Sequence, residues 1–144
     1  MTEALTNMRF FRSSVRVYFE DTDAGGIVYY ANYLRYAERG RTEMLRDLGF
    51  ESSRLIETDG VALAVRRCNT EYLYPAHLDD QLEVATRVTR VGGASVNVLQ
   101  TVTRGDEELV VLDIKLASIN LDGRPARLPV DLRAVLKDAC ENSA

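Results

Sequence analysis

Along most of the chain apolar and polar residues alternate with a period of two, and in one long stretch the period lengthens to that of a helix. Residues 14–19, "SVRVYF", alternate as a first strand, and "DTDAGG" has the turn chemistry to end it. From Asn32 onward Leu34, Ala37, Met44, Leu45 and Leu48 recur at helical spacing. Gly49 then stands where a left-handed residue commonly stops a helix, which predicts a helix of about four to five turns. Four longer alternating segments follow, at 61–72, 81–91, 94–104 and 108–121. In them Leu82, Val84 and Val88 share a face opposite Glu83, Arg87 and Thr89, while Leu112, Ile114 and Leu116 lie opposite Asp113 and Lys115. Gly92-Gly93 and "RGDE" (104–107) have the length and composition of hairpin turns, so neighbouring strands should be antiparallel. "PVDLRAVLKDA" predicts a short C-terminal helix with Pro129 at its start.

One long helix cannot cover both faces of a five-stranded sheet, yet its own apolar stripe must be buried. The expected fold is therefore α+β, an antiparallel sheet wrapped around one long helix. The opposite sheet face and the sheet edges are left for a partner, which predicts a homo-oligomer.

Composition narrows the class. A length of 144 residues fits one domain spanning 1–144, and 46% hydrophobic content with 28% charged argues against disorder. No apolar stretch reaches signal-peptide or membrane-span length, which predicts a cytoplasmic chain with no membrane insertion. A net charge of -4 disfavours a general nucleic-acid binder. Arg66, Arg67, Arg87, Arg90 and Arg104 still leave room for a small anionic ligand if they cluster. Cys68 and Cys140 are far apart, form no CxxC pair and have only His77 to help them, so they read as buried thiols rather than metal ligands.

The chemistry concentrates in "YFEDTDAGGIVYY", where Glu20, Asp21 and Asp23 crowd a pair of glycines ahead of the helix. A calcium loop would want a side-chain ligand at Gly25 and a bidentate glutamate at Asn32, and has neither. A strand-terminal D-x-D is also similar to that of haloacid-dehalogenase phosphatases, but their parallel sheet conflicts with the hairpins expected here. Capping of the helix N-terminus accounts for one acid without any catalysis. Gly25 and Gly26 would in addition let backbone approach a ligand, and the free N–H groups of a first helical turn can stabilise an acyl oxygen that becomes negative. An acid beside such a site is an acyl-transfer arrangement.

The stretch "YFEDTDAGGIVYYANYLRYAERGRTEMLRDLGF", with "EYLYPAHLDDQLEV" and "RVGGASV" further on, resembles the hotdog-fold acyl-CoA thioesterases. The likeness is to the 4-hydroxybenzoyl-CoA and Tol-Pal-associated, YbgC-type branch. It implies hydrolysis of acyl-CoA to a carboxylate and free CoA, with Asp23 as the catalytic carboxylate, either nucleophile or general base. The backbone N–H of Tyr30 would be the oxyanion donor. It also implies a site shared between subunits, a dimer of dimers, no cofactor beyond the CoA of the substrate, and acyl carrier protein or lipid-synthesis enzymes as further partners. Gly26, Arg90, Gly93 and Ser95 are the implied substrate contacts. The Tol-Pal-associated branch usually has histidine where this chain has Tyr30, which removes a second acid–base group. His77, in "YPAHLDD", reads as part of a surface turn. Glu38, a second carboxylate on the helix, reads as an ion-pair partner of Arg35, Arg39, Arg41 or Arg46. A non-catalytic acyl-CoA binder and a hotdog dehydratase are the competing classes. The first has no use for an ionised Asp23, and the second would want a histidine in the site.

Overall fold

The computed structural model describes residues 9–141. Strand β1 (Phe11–Arg16) is followed by a 3-10 turn (Phe19–Asp21), helix α1 (Asn32–Asp47) and strand β2 (Val61–Tyr72). Then come β3 (Gln81–Val91), β4 (Ser95–Arg104), β5 (Glu107–Asn120) and helix α2 (Val130–Glu141). The strands form one antiparallel sheet in the order β1-β3-β4-β5-β2, with β3, β4 and β5 joined by the two expected hairpins. This is the expected α+β architecture.

The first strand begins and ends earlier than its alternation predicted. Val17 still pairs, its N–H donating to Asp80 O at 2.9 Å, but Tyr18 turns away and Phe19 is 80% exposed in the 3-10 turn. The chain leaves the sheet there because the backbone of the turn is satisfied locally: Asp21 N–H donates to Tyr18 O and Thr22 N–H to Phe19 O.

The concave face of the sheet holds Leu82, Val84, Val88, Val96, Val98, Val102, Leu112, Ile114 and Leu116, all buried, as the alternation required. Helix α1 lays Tyr33, Tyr36, Ala37, Gly40, Met44 and Leu45 on it. Leu34, expected in that stripe, is 43% exposed, because the buried face runs through Tyr33, Tyr36 and Ala37 one position away. Gly40 marks the closest approach of helix to sheet: a Cβ there would lie 2.7 Å from Val84 Cγ1. Beneath it Gln100, wholly buried, donates to Ala37 O and Thr86 Oγ1 and accepts from Arg41 Nη1, so this buried polar side chain is paired. Helix α2, three turns long rather than a short appendage, buries Leu132, Leu136 and Ala139. Leu136 lines the same cavity as Met44 and Leu45, so two helices share the concave face. A helical segment at Ser52–Arg54 and Leu55–Asp59, not read from the sequence, closes the far end with Leu55.

Cys68 and Cys140 are in no disulfide among the described residues and are half-buried rather than fully buried, and the described residues hold no group of potential metal ligands. No helix among them is long and apolar enough to cross a membrane.

Candidate active site

Residues 22–28 fold back on themselves as a tight hairpin. Thr22 bridges Val28, Asp23 N–H donates to Ile27 O at 2.8 Å, and Gly26 N–H donates to Asp23 O at 3.1 Å. Gly26 sits at φ 81°, a conformation that side-chain-bearing residues rarely adopt, which is why the turn needs glycine. The Asp23 carboxylate accepts the Gly25 N–H on Oδ1 at 2.8 Å, an Asx turn that fixes its direction. Asp23 is exposed and this is its one side-chain bond among the described residues, so Oδ2 is open to a ligand.

The hairpin is pinned from below. Ile27 bridges His77, and Val28 N–H donates to Ala76 O at 2.9 Å. The Tyr33 hydroxyl, reaching down from α1, accepts the Ala76 N–H at 3.0 Å, and burial raises its pKa. His77 lies in a surface turn as expected, and its ring faces Asp80, with Nδ1 at 3.9 Å from Oδ2.

None of the three acids caps α1. The residue ahead of the helix, Ala31, offers no side-chain cap, and among the described residues the first N–H groups of α1 receive no carboxylate. Asp21 instead serves the 3-10 turn and the first helical residue, accepting Tyr18 N–H at 2.8 Å and Asn32 Nδ2 at 2.9 Å. Glu20 is exposed on the surface. Tyr29 N–H donates to Asp21 O at 2.8 Å, and Asn32 N–H to Tyr29 O at 2.8 Å. Between them the Tyr30 N–H has no acceptor among the described residues. The Tyr30 phenol is 61% exposed, its ring 4.9 Å from that of Tyr29 and edge-on to Tyr72 at 6.1 Å. Asp23 stands in the hairpin and the Tyr30 N–H two residues beyond its Val28 end, each with bonding capacity to spare.

Three cavities lie along α1 and the edge strand β2. One of 150 Å³ is lined by Val28, Tyr30, Tyr33 and Tyr72. Further along, one of 220 Å³ at Leu34, Val65 and Cys68 adjoins one of 440 Å³ at Leu45, Leu55, Leu63 and Leu136. Glu38 and Arg41 line both of the larger spaces. Among the described residues the expected ion pair of Glu38 is absent, with no cation within 4 Å of it: Arg46 pairs with Glu43 and Arg41 turns inward to Gln100. Burial, only partly opposed by Glu38, lowers the pKa of the Arg41 guanidinium.

Of the implied CoA contacts, Gly26 belongs to the hairpin, whereas Arg90, Gly93 and Ser95 lie at the far end of β3 and β4. That strand alone spans roughly 35 Å from its Gln81 end, which is beside the hairpin. One chain does not bring them together with Asp23. The Gly92-Gly93 turn is held by Gly92 N–H to Ser95 O at 2.8 Å, Leu128 N–H to Gly93 O at 2.9 Å and Arg133 Nε to Gly92 O at 3.0 Å. Arg127 lies against Gly93, its Nη2 3.6 Å from where a Cβ would stand. Arg127 and Arg133 thus meet at this turn, a proximity that no spacing in the sequence encodes, whereas Arg90 pairs with Asn97 in the convex-face row of Lys115 and Arg67. Of the other arginines weighed for an anion, Arg104 is taken by Asp80 and Glu107, while Arg67 faces Lys115 across the convex face.

The sequence profile described as the thioesterase superfamily matches residues 25–111, a span that takes in Tyr30 and begins two residues after Asp23. A protein named acyl-CoA thioester hydrolase YbgC from Escherichia coli O6:H1 is 40% identical over 133 residues, covering 91% of this chain and 98% of its own. An acyl-CoA thioesterase YbgC from Haemophilus influenzae is 41% identical over 125 residues, covering 86% and 92%. Among solved structures, a probable thioesterase from Bartonella henselae superposes with a TM-score of 0.82 at 39% identity, covering 84% of this chain and all of that one.

Proposed function

The chain belongs to the thioesterase superfamily, and from that premise we propose that it hydrolyses acyl-CoA thioesters, with Asp23 as the catalytic carboxylate and the Tyr30 N–H as the oxyanion donor. The observation that carries this is the hairpin and its exit, which hold an open carboxylate oxygen at Asp23 and an unclaimed N–H at Tyr30 in the turn that leads into α1.

The thioester carbonyl oxygen would sit against the Tyr30 N–H at the start of α1, where the helix dipole favours negative charge. In the nucleophilic route Asp23 Oδ2 attacks the carbonyl carbon, the oxyanion collapses, and the C–S bond breaks to leave CoA thiolate and an acyl–aspartyl anhydride. The thiolate takes a proton from solvent, and water then hydrolyses the anhydride to the free acid. In the general-base route Asp23 takes the proton of a water that attacks directly, and hands it to the departing thiolate. Both routes need one carboxylate and one donor, and neither needs an imidazole. The acyl group would lie among the cavities along α1, of which the 440 Å³ one is apolar apart from Glu38, Arg41, Thr42 and Ser52.

The placement of Arg90, Gly93 and Ser95 bears on the assembly. Strand β2 is 12 residues long and lies at the sheet edge, with one side unpaired among the described residues. Antiparallel pairing of two such edges about a two-fold axis sets the Tyr72 end of one protomer against the Val61 end of its partner. The Val61 end is the end that carries the Gly92-Gly93 turn, since Val61 pairs Asn120 and Ser95 pairs Ala117. A dimer built this way would bring to each site the Gly92-Gly93 turn of the other chain with Arg127 and Arg133 against it and Arg90 on the neighbouring strand end, cations suited to the phosphates of CoA.

The direct test is release of free thiol from a panel of short, long and aromatic acyl-CoAs. Turnover of at least one is expected, and no thiol from any of them, with CoA thioesters bound but intact, would show a binder rather than a hydrolase.

A further inference from the structure

We propose that Asp21 is the positioning residue of this site, holding the Asp23 hairpin against the start of α1 so that the carboxylate and the Tyr30 N–H keep one separation. The proposal rests on the assignment of Asp23 and Tyr30 above. Asp21 stands two residues before Asp23, and its partner Asn32 stands two residues after Tyr30, so one side-chain bond spans both working groups. Asp21 Oδ1 accepts Asn32 Nδ2 at 2.9 Å and Oδ2 accepts Tyr18 N–H at 2.8 Å. Its carbonyl accepts Tyr29 N–H at 2.8 Å, next to the Tyr30 peptide. Asn32 is only 8% exposed, so its end of this part-buried contact is held in the protein.

The chemistry of the pocket asks for a carboxylate. Both groups that bond the Asp21 side chain are donors, a backbone N–H and an amide NH₂. An asparagine at position 21 would turn an NH₂ toward one of them and lose that bond. Glu20 makes no such tie, and Asp23 spends its own bond on Gly25. The crowding of three acids thus separates into one that reacts, one that positions and one that meets solvent. A slip of about 1 Å between reacting groups costs on the order of a hundredfold in rate, so loss of the tie should appear in turnover before it appears in binding.

The test is a set of variants assayed for kcat and KM with their melting and oligomeric state. In Asp21→Asn, kcat should fall at least about tenfold with KM changed by less than about twofold. Asn32→Asp alone should lose similarly, since two carboxylates then face each other. The exchange Asp21→Asn with Asn32→Asp restores a donor–acceptor pair with its roles reversed and puts the charge at a helix N-terminus, where it is favoured. It should recover kcat to within about threefold of the parent, a non-additivity expected only of directly coupled residues. Normal kcat in Asp21→Asn overturns the proposal, as does a folded exchange variant no more active than either single variant. If the exchange variant does not fold, Asn32→Ala decides: a lowered kcat at constant KM supports the tie, and an unchanged kcat removes it. Asp23→Asn in the same assay separates the two levels. If it stays active, the site assignment fails; if it is inactive while Asp21→Asn is normal, only the positioning role falls.

Discussion

Arg104 Nη1 donates to Asp80 Oδ2 at 2.6 Å, and the same oxygen accepts the His77 N–H at 2.9 Å, so a residue of the β4–β5 hairpin anchors the strand on which the Asp23 hairpin rests. Burial works against the Asp80 carboxylate, but the His77 N–H and the Arg104 guanidinium together hold its pKa below the ordinary value. A depressed pKa in the folded state adds stability above the unfolded value of about 4, and that stability is lost as pH falls through the lower folded value. The melting temperature should therefore drop on acidification below about pH 4, and Asp80→Asn should flatten that part of the profile. A variant with the same acid limb as the parent would show that this pair does not anchor the turn.

Tyr30 contributes its amide, not its phenol. Tyr30→Phe should keep kcat within about threefold, while Tyr30→Pro, which deletes the N–H, should lose about a hundredfold or more, the scale of one oxyanion donor. Circular dichroism of the proline variant checks that α1 survives. Equal and large losses in both would move the role to the hydroxyl.

His77 is the chain's single histidine, and it touches the site only through its backbone. His77→Ala should retain turnover, because its side chain stands 3.9 Å from Asp80 and pairs with nothing else among the described residues. A pH–rate profile that loses its limb near pH 6 to 7 in this variant would instead place an imidazole in the reaction.

Assembly is the fourth expectation. If each site is completed across β2, light scattering should give a mass at least twice that of the chain, and Arg90→Ala, Arg127→Ala and Arg133→Ala should each raise KM for acyl-CoA with little change in kcat. A monomer at concentrations where the enzyme is active, or KM values unmoved in all three, would contradict it.

How much of this the sequence carried depends on range. The strand faces of Leu82, Val84, Val88, Leu112, Ile114 and Leu116 were legible because alternation is local, and so was the stop at Gly49, observed at φ 94°. Leu34 was misplaced because a stripe read at helical spacing does not say which side of it the tyrosines claim. Glu38 had four arginines within reach along the helix, yet the core took one of them and Glu43 another. The roles of Asp21 and of Arg127 depend on contacts to Asn32 and Gly93, and such pairings exist only once the chain has folded. Asp23 was singled out by a long motif resemblance, which local chemistry alone would have left among three acids.

The central claim is that the Asp23 carboxylate reacts. Thiol release from the best acyl-CoA substrate by the parent and by Asp23→Asn, which keeps the Gly25 bond geometry within reach, measures this most directly. The expected result is a folded variant with the parent's oligomeric state and a kcat lower by at least about a hundredfold; near-normal turnover in that variant would contradict the account.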